Sequence, residues 1–195
     1  LSDEWVTRAL TPTPAQPTAY SLLAERQAAF TTTAAASDGT ARRQVEMAPS
    51  PDAYKRWAAI HARRGGDLSQ AVPVYRAGIA AYPDDRDMPA LLGETLLEIG
   101  RADEAVRELW AESERRPRSS RLRLMLGRAL LQNKRTAEGV AELKDAIALE
   151  NYPNPLLSAA RSLFDAGGQL DPALEYATRA MTRTSQQQAQ LTFGT

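Results

Sequence analysis

Apolar and small side chains return along this chain at intervals of three and four residues, and the pattern they make is itself repeated. In four successive stretches from Asp52 onward, relative positions 4, 7, 8 and 11 are predominantly apolar or small. That spacing gathers them on one face of a helix. Positions 7 and 11 are Ala58 and Ala62, Leu92 and Leu96, Leu126 and Leu130, then Ala160 and Phe164, and they are expected to meet a partner helix. At position 15, Gly66, Gly100 and Gly168 are expected to end the first helix, because glycine enters the left-handed conformation of a helix terminus without a Cβ clash. Three residues later Ser69, Asp103 and Asp171 are expected to cap a second helix. Pro51, Pro155 and Pro172 follow Ser50, Asn154 and Asp171, at first-turn positions where a missing N–H breaks no bond. The small residue at position 20, Ala71, Ala105, Gly139 or Ala173, allows the two helices to approach closely.

The period of this two-helix unit is 34 residues: Leu92-Gly93 returns as Leu126-Gly127, and Pro83 as Pro117. The units run 52–85, 86–119, 120–153 and 154–187. A 34-residue helix–turn–helix with Leu-Gly, Gly, Ala and Pro at these offsets resembles the tetratricopeptide repeat. Three positions depart from it: Lys134 stands at the turn glycine, Arg161 at a small-residue site and Asn151 at the terminal proline. The expected fold is therefore all-α, an α-solenoid of tandem 34-residue helix–turn–helix repeats without a sheet.

Outside the repeats, residues 1–17 combine a short amphipathic stretch around Trp5 with the Pro/Thr-rich linker TPTPAQPT, which is stiff and extended. Residues 18–51 read as a helical segment, with Pro49 placed 34 before Pro83 as in a degenerate fifth repeat. Asp38-Gly39 is expected to break or turn that segment. Residues 188–195 read as a polar tail, with no convincing capping helix of the kind a solenoid end needs.

Composition narrows the chemistry. With 24 Lys+Arg against 24 Asp+Glu, the chain lacks the positive surplus of a nucleic-acid or polybasic membrane surface. Having no cysteine and one histidine, it can build neither a thiolate nor a two-histidine metal site, and no cofactor is expected. His61 reads as a packing residue, and Asp84-Asp85 and Glu112/Glu114 as turn or solvated-face groups. Phosphate-loop and nucleophile-elbow motifs are missing, so no catalytic residues are assigned and the chain is read as a non-enzyme. No run of apolar residues is long enough to span a membrane. The start, Leu-Ser-Asp-Glu, carries neither a signal peptide nor a Met; cytoplasm and periplasm both fit.

The resemblance implies a concave groove lined by first helices. Positions 2, 5, 9, 12 and 13 form the stripe beside the partner-facing one, and they nominate Arg56, Ile60, Arg63, Arg64, Glu94, Leu97, Leu124, Arg128 and Leu131 as protein-binding residues. The same stripe passes through Gln132, Ser162 and Asp165. Basic and apolar lining suits a polypeptide carrying acidic and apolar residues. The type of repeat domain that grips a terminal carboxylate has Lys and Asn at positions 5 and 9 of its first repeat, where this chain has Arg56 and Ile60, so that activity is not expected. The sequence thus describes an interaction scaffold; the alternative is a repeat segment of a larger assembly that acts structurally or self-associates through uncapped ends.

Overall fold

In a computed structural model the described residues are 34–62, 67–149, 153–165 and 170–193. Nine α-helices and one 3₁₀ turn account for the regular structure among them, with no strand: α1 (Ala34–Met47), α2 (Pro51–His61), the 3₁₀ turn (Leu68–Gln70), α3 (Ala71–Ala81), α4 (Met88–Glu98), α5 (Ala102–Arg115), α6 (Ser120–Gln132), α7 (Thr136–Leu149), α8 (Pro153–Asp165) and α9 (Leu170–Phe193). The chain divides into two compact units, Leu1–Thr95 and Leu96–Thr195, the division falling inside α4.

In the amino-terminal unit α2 packs against both α1 and α3. Ser50 caps α2, its hydroxyl accepting from the Ala53 N–H at 3.2 Å, and Pro51 opens the helix as expected. Contrary to expectation, α1 runs unbroken through Asp38-Gly39. Asp38 has a tertiary role there: one carboxylate oxygen accepts from Trp57 Nε1 at 2.6 Å and lies 3.0 Å from His61 Nε2. Ala41 and Ile60 are buried together with Trp57 against them, so packing on α2 outweighs the local turn preference. Asp85 closes the unit's last turn. Its carboxylate accepts from the N–H groups of Met88 and Asp87 at the start of α4 and from Lys55 Nζ of α2, at 2.8, 3.0 and 3.1 Å.

In the carboxy-terminal unit α5 packs on α6, α6 on α7, and α8 on α6, α7 and α9. Leu122, Leu126, Leu130 and Leu143 are completely or almost completely buried. The small residues let α6 and α7 nearly touch: a Cβ on Gly139 would sit 2.9 Å from the Gly127 carbonyl and 2.8 Å from Leu131 Cγ. Arg123 binds across this pair, to Glu142 at 2.9 Å, Asp145 at 3.3 Å and its own side's Pro117 carbonyl at 3.0 Å.

The inter-helix turns explain why Lys134 can replace glycine. Gly100 has φ +75° and Lys134 φ +60°. Gly100 donates to the Leu97 carbonyl and Arg101 to that of Leu96; one repeat on, Lys134 donates to Leu131 and Arg135 to Leu130. Both turns are the same Schellman closure of a helix end. The expected caps are displaced. Arg101, not Asp103, is the N-cap of α5, while Asp103 accepts from Asn133 Nδ2 at 2.8 Å. Asp67, not Ser69, caps the 3₁₀ turn, and Ser69 is its donor. The second helices instead begin with an arginine forked onto a glutamate three residues on: Arg101 to Glu104, both bonds 2.6 Å, and Arg135 to Glu138 at 2.8 and 2.6 Å. Each glutamate thereby sits in the first turn, where the helix dipole favours negative charge.

Two further expectations are corrected. Ala62 is exposed, and Phe164 is 64% exposed, although both occupy position 11, which is buried as Leu96 and Leu130. The stretch from 188 is helical as far as Phe193, because α9 does not stop at the repeat boundary. Its threonines tolerate the helix by returning hydroxyl bonds to carbonyls one turn back, as Thr178 does to Leu174 and Thr182 to Thr178.

Candidate functional site

The carboxy-terminal unit contains a concavity of about 330 Å³. Arg128, Leu131 and Gln132 line it from α6, Lys134 from the turn that follows, and Ser162 and Asp165 from α8. Arg128, Leu131 and Gln132 are positions 9, 12 and 13 of their repeat, and Ser162 and Asp165 are positions 9 and 12 of the next. The helical register therefore brings corresponding faces of two consecutive first helices to one depression. Its rim is cationic at Arg128 and Lys134 and anionic at Asp165. Arg128 is half-buried and directs Nη1 to Met125 Sδ at 3.5 Å, while Lys134, Gln132 and Asp165 are exposed. Ser162 donates to the Ser158 carbonyl at 2.8 Å, leaving its oxygen's lone pairs toward other donors.

The nominated residues fall into distinct situations. Arg56 is exposed on α2 and Glu94 half-buried on α4. Arg63 and Arg64 lie outside the described residues. Ile60, Leu97, Leu124 and Leu131 are buried, 5–8% exposed, so they are packed rather than displayed. Ile60 is covered because Ala41 of α1 packs on it, and Leu131 lies where a Cβ on Gly139 would collide with it. Sequence periodicity placed these side chains toward a groove; neighbouring helices close over them. The accessible lining is accordingly more polar than the stripe suggested. Lys134 was visible in the sequence only as a missing glycine, and its contribution to the concavity follows from the turn's position directly after α6.

A second concavity of similar volume lies between α7 and α9, lined by Lys144, Ile147, Ala148, Glu175, Tyr176 and Arg179. Burial pushes the Tyr176 hydroxyl above its ordinary pKa, Glu175 adding to the effect and Arg179 opposing it. Among the described residues no group of three or more His, Asp or Glu is arranged to hold a metal ion, and no helix is long and apolar enough to cross a membrane.

Helix pairs that recur along the chain, two of them closed by the same turn, define a helical-repeat protein. The tetratricopeptide repeat pattern matches residues 58–113 and 90–154. Comparison with curated proteins finds no match. Solved structures do match. MamA from Desulfovibrio magneticus RS-1, residues 41 to the end, is 17% identical with a TM-score of 0.62, over 88% of this chain and 96% of that one. TTC0263, a thermophilic TPR protein in Thermus thermophilus, is 20% identical with a TM-score of 0.61, over 86% and 91%. YrrB, described as a TPR protein with an unusual peptide-binding site, is 14% identical with a TM-score of 0.54, over 93% of each. The chain belongs to the tetratricopeptide repeat superfamily, and its fold is the all-α helical repeat of that class.

Proposed function

We propose that this protein is a non-enzymatic scaffold that holds a polypeptide segment against its first helices, with the α6–α8 concavity as the centre of the site. The observation that carries this reading is the convergence of Arg128, Leu131, Gln132 and Lys134 with Ser162 and Asp165 around one depression. Two cations beside one carboxylate favour a segment with more acidic than basic side chains, and Leu131, which lines the depression although only 5% exposed, gives it a small apolar spot. The cations would steer and orient the segment more than they hold it. The peptide-binding description of YrrB supports the same class of ligand.

Selection from a displayed peptide library against the full chain tests this. The expected winners combine Asp or Glu with Leu, Ile or Phe, and they should bind Arg128→Glu/Lys134→Glu about tenfold or more weakly than the wild type. Winners without acidic residues, or equal binding by a double variant of unchanged helicity, would remove the concavity as the site.

A further inference from the structure

We propose that the outer face of the α8–α9 pair docks on the same face of a second copy of this chain. Six large apolar side chains are exposed among the described residues, and four of them lie on this one helix pair: Leu157 (48%), Phe164 (64%), Leu174 (67%) and Met181 (61%). Each helix presents its two at a spacing of seven, so they form a stripe on α8 and a stripe on α9. The preceding repeat shows what such a face is for. Leu130 and Ile147 occupy the positions of Phe164 and Met181, and both are buried, at 0% and 3% exposure. Their helices, α6 and α7, both pack against the next repeat's α8. One repeat earlier, Leu96 and Val106, at the positions of Phe164 and Leu174, are buried as well. Phe164 and Met181 thus stand open at positions that the preceding repeat buries, Leu157 and Leu174 extend the exposed patch, and an apolar patch of this kind marks an association surface.

A second copy is the occupant that the chemistry fits. The patch is flanked by Arg161 beside Asp165, 3.6 Å apart, and Arg179 beside Glu175, 3.5 Å apart. These pairs are exposed, so exchanging partners across a two-fold axis sacrifices little. Both signs on one rim make the face self-complementary, as an isologous contact requires. The zero formal net charge of the chain removes long-range repulsion between copies. Four side chains make a small apolar centre, which corresponds to the weak end of specific interfaces and to a micromolar dimer.

Sedimentation equilibrium of the full chain from about 1 to about 200 μM is the test. The mass is expected to rise from the monomer's 21.3 kDa toward twice that value, and Phe164→Glu/Leu174→Glu is expected to stay monomeric with an unchanged circular dichroism spectrum. The chain has no cysteine, so a single introduced one reports its own neighbourhood. Thr178→Cys, between Leu174 and Met181 on the proposed contact, should form a disulfide-linked dimer under mild oxidation well ahead of Arg107→Cys on α5. A wild type monomeric throughout the range, a double variant that still dimerises, or equal cross-linking at both cysteines would overturn the proposal.

Discussion

Lys134 holds a backbone conformation that side chains disfavour, at φ +60°, and the closure around it is the one Gly100 makes. A residue with a Cβ is strained there by about 1–2 kcal/mol, while glycine gains part of that back as entropy in the unfolded chain. Lys134→Gly is therefore expected to stabilise the protein by about 0.5–1 kcal/mol, read as a higher urea midpoint at unchanged slope; a lower midpoint would mean the lysine's other contacts outweigh its strain. Asp85 is the opposite case, a residue placed where it is needed. Burial raises its carboxyl pKa, but hydrogen bonds from the Met88 N–H, Lys55 and the Asp87 N–H overcome this and hold the group below the ordinary carboxylate value. For Lys55, burial acts downward and the bonds it donates to Asp52 and Asp85 prevail, leaving it raised. Because Asp85 is lowered in the folded state, its stabilisation is present above the unfolded value of about 3.9 and disappears as pH falls through the folded one. The raised Lys55 contributes below its ordinary value and is lost as pH climbs through its folded value. Asp85→Ala should cost about 1–2 kcal/mol near neutrality, and the gap from wild type should close as the solution is taken below about pH 4. A gap independent of pH would show that the ionised carboxylate is not what matters.

At the level of elements, stability resides in the helix pairs. Leu126 is 1% exposed between α6 and α7, so Leu126→Ala is expected to cost about 2–5 kcal/mol. Arg107 stands exposed on α5, and Arg107→Ala should change stability by less than about 0.5 kcal/mol. Chemical denaturation of both variants checks the register, since similar losses would place Arg107 in the core or Leu126 out of it. The forked arginines are an element-scale device that apolar periodicity did not reveal. Arg101 and Glu104 recur as Arg135 and Glu138, on the same 34-residue lattice as the core, and this polar repetition was available in the sequence. The general preference for Ser, Thr and Asp as caps pointed to Asp103 and Ser69 instead. Arg135 also lies 5.6 Å from the Trp110 ring centroid, which ties the start of α7 back to α5.

At the scale of the whole chain, the helices that pack together within each compact unit are mostly neighbours in sequence, as in repeat proteins whose stability is a sum of local and nearest-neighbour contributions. The repeat length, helix pairing and buried leucines were legible from the sequence because they follow from local conformational preference and a regular apolar face, both of which recur at fixed intervals. Even the turn at Lys134 was marked there, as an interruption of the glycine lattice. What the sequence could not settle is how much of each face another helix covers. Ile60 and Phe164 show this in opposite senses: Ile60 was expected to line a groove and is buried under α1, while Phe164 was expected in the core and stands open on α8. The same limit applies to Asp38-Gly39, which reads locally as a turn but lies within α1, where Asp38 accepts a hydrogen bond from Trp57 of another helix. Periodicity specifies which way a side chain points from its own helix; only tertiary packing decides whether anything lies in that direction, because burial depends on neighbours remote in sequence.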